Sequence, residues 1–170
     1  MKEEELFDLV DEMDRPVGRA PRHEVHARGL RHRAIHVLIF DHRGWVFLQK
    51  RSALKDMSPL KWDSSCSGHV DAGEEYDEAS RRELGEELGV FGVAPLRLHY
   101  VSACPETGNE FVWVYHLAHE GPFVLHPEEI DEGRWYEPVR LTREITDDPA
   151  KFAPAFRYIW DLVERDFRAR

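Results

Sequence analysis

Three glutamates, Glu83, Glu86 and Glu87, fall within five residues of a stretch whose composition favours a helix. On a helix successive residues turn by ~100°. Glu86 and Glu87 therefore lie on either side of Glu83, all three within an arc of roughly 100°. Like charges crowded in this way repel, and a cation relieves the repulsion. A hard divalent cation with oxygen ligands suits the set, and Mg²⁺ or Mn²⁺ suits it better than zinc, which prefers nitrogen and sulfur. The plainer alternative is a solvated acidic helix face, because Glu is a common surface helix former.

The flanking residues bear on that choice. Gly68-His69-Val70-Asp71-Ala72-Gly73-Glu74 precedes the helix, and its two glycines predict a tight loop. Gly89 stands where a left-handed C-terminal cap would fall. Leu84 and Leu88, four apart, predict an apolar contact on the side away from the glutamates. Gly85 costs about 1 kcal/mol relative to Ala inside a helix, and its presence predicts close approach of another backbone.

Written with its spacing, the segment is G-x5-E-x7-R-E-U-x-E-E-x-G-U, where U is bulky and aliphatic. Gly68, Glu74, Arg82, Glu83, Leu84, Glu86, Glu87, Gly89 and Val90 fill its nine constrained positions over residues 68–90. This pattern resembles the signature, or box, of the Nudix hydrolases. The resemblance implies an α+β fold, an α/β/α sandwich around a mixed β-sheet. It also implies hydrolysis of a diphosphate bond in a nucleoside di- or triphosphate or a related nucleotide. In that chemistry water attacks a polyanion, so charge must be neutralised and water activated. By resemblance, Glu83, Glu86 and Glu87 hold Mg²⁺ (or Mn²⁺) with the Gly68 carbonyl. Arg82 orients a glutamate through a charged hydrogen bond, and Glu74 fixes the loop. The general base in this family is a box glutamate or a carboxylate on a distant loop. Glu110, after the loop Pro105-Glu106-Thr107-Gly108-Asn109, is the outside candidate, and an ordinary strand-edge glutamate is its alternative reading. Lys50 and Arg51 are candidates for phosphate binding, or solvated edge charges. Trp62, Phe111 and Trp113 either stack on a base or pack.

The N-terminal half is similar to one branch of the family, the isopentenyl diphosphate isomerase-like proteins. The similarity is carried by Glu24-Val25-His26, Gly29-Leu30-Arg31-His32-Arg33-Ala34, Leu48-Gln49-Lys50-Arg51-Ser52 and Trp62 to His69. That branch has a His/Glu metal site, and His32, His69 and Glu110 occupy positions resembling part of it, with His26 nearby. Imidazoles with a carboxylate suit Zn²⁺ or Mn²⁺. The chain departs from the branch at Ser67, where the isomerases have their active-site cysteine. Cys66 stands one residue away, on the opposite strand face. The second metal-site glutamate falls at Gly108, and the hydrolase box is complete where the isomerases degrade it. A non-catalytic nucleotide-binding Nudix module is a third alternative, and it would be marked by loss of metal-binding glutamates.

The elements that must position these residues fit one domain, 1–170, with 1–31 as an N-terminal strand-and-helix extension. An apolar fraction of 42% supports a core, and a net charge of -10 argues against a polymeric nucleic-acid partner. A small phosphorylated substrate is compatible with that charge, because a metal ion mediates the contact. Two cysteines, no leader-like N-terminal run and no long apolar stretch point to a cytoplasmic protein with no membrane segment. The pattern predicts strands at 6–10, 34–40, 45–49, 62–67, 96–102, 110–118 and 134–136, with a turn at 14–16. Helices are predicted at 21–28 with Pro21 first, at 75–88, and through the Phe156, Ile159, Trp160, Val163, Phe167 stripe after Pro154, read as core contact. Substrate choice is expected to rest on residues 52–61, 103–109 and 119–134.

Overall fold

Ala34 to Phe40, apolar except at His36, builds the strand around which the other elements are arranged. The computed structural model describes residues 3–169. Its order is β1 (Leu6–Val10), β2 (Pro16–Pro21), α1 (Arg22–Arg28), β3 (His32–Phe40), β4 (Val46–Arg51), β5 (Trp62–Asp63), β6 (Cys66–His69), α2 (Tyr76–Leu88), β7 (Leu96–Val101), β8 (Glu110–Ala118), β9 (Ile130–Tyr136), α3 (Pro138–Asp147) and α4 (Pro154–Arg168). β8 runs parallel to β3 along its whole length. On the other side of β3, β4 pairs with its last two residues and β6 with Ala34 to Val37, both antiparallel. β9 and β5 extend the sheet from β4, and β7 extends it from β8.

Side chains alternate across a strand, so β3 feeds two cores. Ile35, Val37 and Ile39 face α2, packing with Phe47, Cys66, Tyr115, Leu84 and Leu88. Ala34, Leu38 and Phe40 face α3 and α4, meeting Leu141, Phe156, Ile159, Trp160 and Val163. The result is an α/β/α sandwich around a mixed sheet, as the family resemblance implies. β1, β2 and α1 form a hairpin and helix with a small core of Phe7, Ala20 and Val25. Asp14, at φ 60°, ties this unit down. It accepts from Arg33 Nε at 2.7 Å, from Tyr76 Oη at 2.7 Å and from Tyr100 Oη at 3.0 Å. Among the described residues no helix is long and apolar enough to cross a membrane.

Several expectations are corrected. Pro21 is the N-cap of α1, closing β2, and not its first helical residue. β2, where no strand is expected after the turn at 14–16, pairs with β1 despite its exposed face. The single strand at 62–67 is two, β5 and β6, because side chains replace the backbone ladder between them. Ser65 Oγ accepts the Ile39 N–H at 2.8 Å and donates to the Phe47 carbonyl, while Ser64 Oγ bonds His36 Nδ1 at 2.7 Å. Gly68, expected in a loop, is strand residue opposite Ile35. The strand at 134–136 begins at Ile130, and α3 has no sequence-level counterpart because it buries only Leu141 fully.

Phe156 is fully buried between α4 and the sheet. Phe156→Ala should lower unfolding free energy by about 3–5 kcal/mol in a denaturant titration. A loss under 1 kcal/mol would show that this face is not close-packed.

Candidate functional site

The box helix starts at the N-cap Glu75, whose backbone N–H donates to Glu78 Oε2 at 2.9 Å. It ends at Gly89, left-handed at φ 65°, where the Gly89 and Val90 N–H groups return to Gly85 and Leu84 carbonyls at 3.1 Å each. With Leu84 and Leu88 buried against the sheet, the helix is rotationally fixed. Glu83 then lies directly on Gly68 of β6. A Cβ added at residue 68 would stand 2.2 Å from Glu83 Cδ, so any other residue there would displace the Glu83 carboxylate. The glycine inside the helix has a different cause from the expected one. A Cβ on Gly85 would meet the Phe91 ring at 2.6 Å, so a side chain and not a backbone makes the close approach.

Arg82 is the hub of the box. Its Nε and Nη2 donate to both oxygens of Glu74, at 2.8 and 2.9 Å. Nη1 donates to Glu83 at 2.9 Å and to Glu86 at 3.3 Å, and Nη2 also donates to the His69 carbonyl at 3.0 Å. The hydrogen bond with Glu74 raises the guanidinium above its ordinary range, against the opposing effect of burial. Glu87 is nearly inaccessible. Gln49 Nε2 donates to its Oε2 at 2.9 Å, and the Ser67 N–H donates to Oε1 at 3.4 Å. Burial pushes the Glu87 carboxyl well above its usual range, and the Glu83 charge adds to this. Burial pushes Glu83 up to about 7, more than the neighbouring Arg82 lowers it. One guanidinium thus serves four carboxylates, Asp71, Glu74, Glu83 and Glu86, while Glu87 lies beyond its reach, and burial makes Glu83 and Glu87 resist ionisation. This all-oxygen, charge-deficient donor set fits a hard divalent cation.

The structure distributes the other candidates differently. Lys50 alternates with Gln49 and shares the face of Val46 and Leu48, away from α2. Arg51 is engaged internally by Asp63 at 3.1 Å and by the Met57 carbonyl at 2.9 Å. Trp62 is buried, edge-on to Tyr136 and covered by Arg134, so it packs and offers no face to a base. Phe111 and Trp113 pack with Tyr100. The lysine whose charge reaches Glu87 is Lys55, ion-paired with Glu129. Glu129 in turn raises both Glu83 and Glu87. Neither loop residue carries a sequence signal. Gln49 had one, a polar residue inside an apolar strand.

Glu110, the outside candidate for general base, belongs to a second constellation. His69 opposes Ala34 and Glu110 opposes His32, on the sheet face opposite that of Gly68. His26 of α1 joins them, and the ligand atoms of His26, His32, His69 and Glu110 all lie within 4.8 Å of one another. Glu110 Oε1 is 3.2 Å from His32 Nε2 and 3.1 Å from His69 Nε2, and His26 and His69 Nε2 are 3.3 Å apart. Burial alone would raise Glu110, but hydrogen bonds to His32 and His69 outweigh it and hold the carboxylate well below its usual range. Burial, with the charges of His69 and His32, pushes His26 down to about 4. The His32 Nδ1–H donates to the Leu30 carbonyl at 2.8 Å, which directs Nε2 inward. Three imidazoles and one carboxylate suit zinc or manganese. Phe7, without a sequence-level role, stacks on His69 at 4.6 Å and on His32 at 5.7 Å.

A family model for the NUDIX domain matches residues 30–156. The chain is 39% identical over 155 residues to an uncharacterized Nudix hydrolase of Yersinia pestis, covering 86% of this chain and 82% of that one. It is 35% identical over 167 residues to an isopentenyl-diphosphate Delta-isomerase of Nocardia farcinica, covering 95% of each. The crystal structure of DR0079 from Deinococcus radiodurans superposes with a TM-score of 0.81 at 32% identity, covering 95% of this chain and 98% of that one.

The Glu83 shift sets a pH dependence. Its ordinary value is 4.5 and its folded value about 7. Between these the folded chain holds a proton that the unfolded chain has released, so the group's contribution to stability falls as pH rises through that window. In EDTA, the melting temperature of Glu83→Gln minus that of wild type should therefore increase from pH 4.5 to 8. A flat difference would remove the burial-driven shift. Separately, His32→Ala and His69→Ala should each abolish one equivalent of tight Zn²⁺ binding in calorimetry while leaving α2 helical. Unchanged stoichiometry would mean that the histidines hold no ion.

Proposed function

The chain belongs to the Nudix family, whose hydrolases act on phosphoanhydride bonds, and from that premise we propose a Mg²⁺- or Mn²⁺-dependent pyrophosphohydrolase. Its substrate would be a nucleoside di- or triphosphate or a related nucleotide derivative. The observation carrying this reading is the gathering of Glu83 and Glu86 on one arginine, Glu83 also lying on Gly68, with the buried Glu87 one residue further on the same helix. Glu83, Glu86 and Glu87, with the Gly68 carbonyl, would hold the divalent cation. When bound, the cation supplies charge neutralisation on phosphate oxygens and a more acidic water. Arg82 orients Glu83 and Glu86, while Glu74 locks Arg82. Proton removal from the attacking water falls to a box carboxylate, for which Glu83 is our choice, since Glu110 is engaged by two histidines. Lys55, whose charge reaches Glu87 and which pairs with Glu129, is our candidate cation for a phosphate. The two free thiols, Cys66 and Cys104, suit a reducing cytoplasm.

A second reading, an isopentenyl diphosphate isomerase-like activity, is favoured by the His26, His32, His69 and Glu110 constellation and by the Nocardia farcinica relative. Against it, Ser67 shares the sheet face of His36 and His69 where that branch has cysteine, and Cys66 is buried on the α2 side.

Purified protein with Mg²⁺ should release phosphate or pyrophosphate from at least one compound in a screen of nucleotides, nucleotide sugars and isopentenyl diphosphate. Glu86→Gln and Glu87→Gln should each lower kcat/KM by about 100-fold or more, with circular dichroism unchanged. Wild-type turnover in both variants would overturn the ligand assignment. An isomerised alkene with no phosphate release would favour the second reading.

A further inference from the structure

We infer that Gln49 is the positioning residue of the box: its side-chain amide orients the Glu87 carboxylate and so sets how tightly the divalent cation is held. The inference rests on the reading above that Glu87 is a metal ligand.

Gln49 is 2% exposed, between Phe47 and Leu48 of the two cores and Arg51 at the strand end. A buried amide in an apolar strand must be satisfied, and this one is. Its Nε2 donates to Glu87 Oε2 at 2.9 Å and to the Ser65 carbonyl at 3.3 Å. Both N–H groups have acceptors in these directions, and the reversed amide would set an oxygen against a carboxylate and a carbonyl. The hydrogen-bond pattern therefore decides the amide orientation. Ser65 is itself pinned, its hydroxyl bridging the Ile39 N–H and the Phe47 carbonyl. Gln49 thus connects a rigid crossing of β3 and β4 to the last turn of α2.

Glu87 meets one protein donor at each oxygen, Gln49 at Oε2 and the Ser67 N–H at Oε1. Two donors from different strands fix the carboxylate plane, and each oxygen keeps lone-pair capacity for an ion. The donor type also matters. Glu83 and Glu86 are oriented by a charged guanidinium, which offsets part of their charge. Gln49 orients Glu87 through a neutral donor, which brings no positive charge to compete with the cation at that oxygen. A cationic residue at position 49 would compete with the metal, and an apolar one would leave Glu87 held by the Ser67 N–H alone.

The test uses Mn²⁺ binding by the full chain, followed by electron paramagnetic resonance of the unbound ion. The box site is defined as the class of Mn²⁺ lost in Glu87→Gln, which separates it from any ion on the histidines. Gln49→Met removes the donors at similar length, and Gln49→Asn keeps a polar side chain that is too short to reach Glu87. In either variant that folds, the dissociation constant of that class should rise about tenfold to a hundredfold. The melting-temperature increment on saturating Mn²⁺ should shrink accordingly. A merely structural Gln49 would lower the metal-free melting temperature while leaving the affinity and the Mn²⁺ increment at wild-type values, and that result would overturn the inference. If Glu87→Gln itself removed no class of Mn²⁺ site, the underlying ligand assignment would fail instead, and the inference with it.

Discussion

The guanidinium of Arg82 is the interaction on which the candidate site depends. Without it, the carboxylates of Glu74, Glu83 and Glu86 would have no shared positive charge to offset their repulsion. With it, the loop carrying Glu74, the helix carrying Glu83 and Glu86, and the His69 carbonyl of β6 are drawn to a single point. The two-pronged bond to Glu74 makes this geometry directional, which a lysine would not. Yet one positive charge leaves the set deficient, and burial of Glu83 and Glu87 sharpens the deficit. A site with that imbalance is built for a ligand of opposite sign.

β6 separates two chemistries. Successive strand residues face opposite sides, so Gly68 admits Glu83 on the α2 side while His69 turns toward His32, Glu110 and His26. One face offers only oxygen, the other three imidazoles and a single carboxylate. Four residues of strand therefore keep the carboxylate cluster and the imidazole cluster apart, linked through the bond from Arg82 to the His69 backbone. The N-terminal hairpin and helix close the second environment. Phe7 stacks on its rings and α1 supplies His26.

The same alternation explains why only some of the expected substrate contacts meet the box. β4 sends Phe47 and Gln49 toward α2, and Val46, Leu48 and Lys50 the other way. Lys50 and Trp62 follow the packing of the α4 face, while Lys55 and Glu129 approach the box from loops.

What the residues determined by themselves was local. The bounds of the box helix, its Gly89 cap, the whole of β8 and the apolar stripe of α4 as far as Val163, with Phe167 left exposed near the helix end, follow from short-range periodicity and from the φ freedom of glycine, which act within a few residues. The oxygen donor set was legible for the same reason, because its members lie within one and a half turns of helix and an adjoining loop. Only the tertiary structure decided the pairings between distant segments. Gln49 with Glu87, His26 with His69 and Phe7 over the imidazoles depend on which strand lies beside which and on which face each presents. Strand order and facing are set by burial summed over the entire sheet, a quantity that no window of sequence contains.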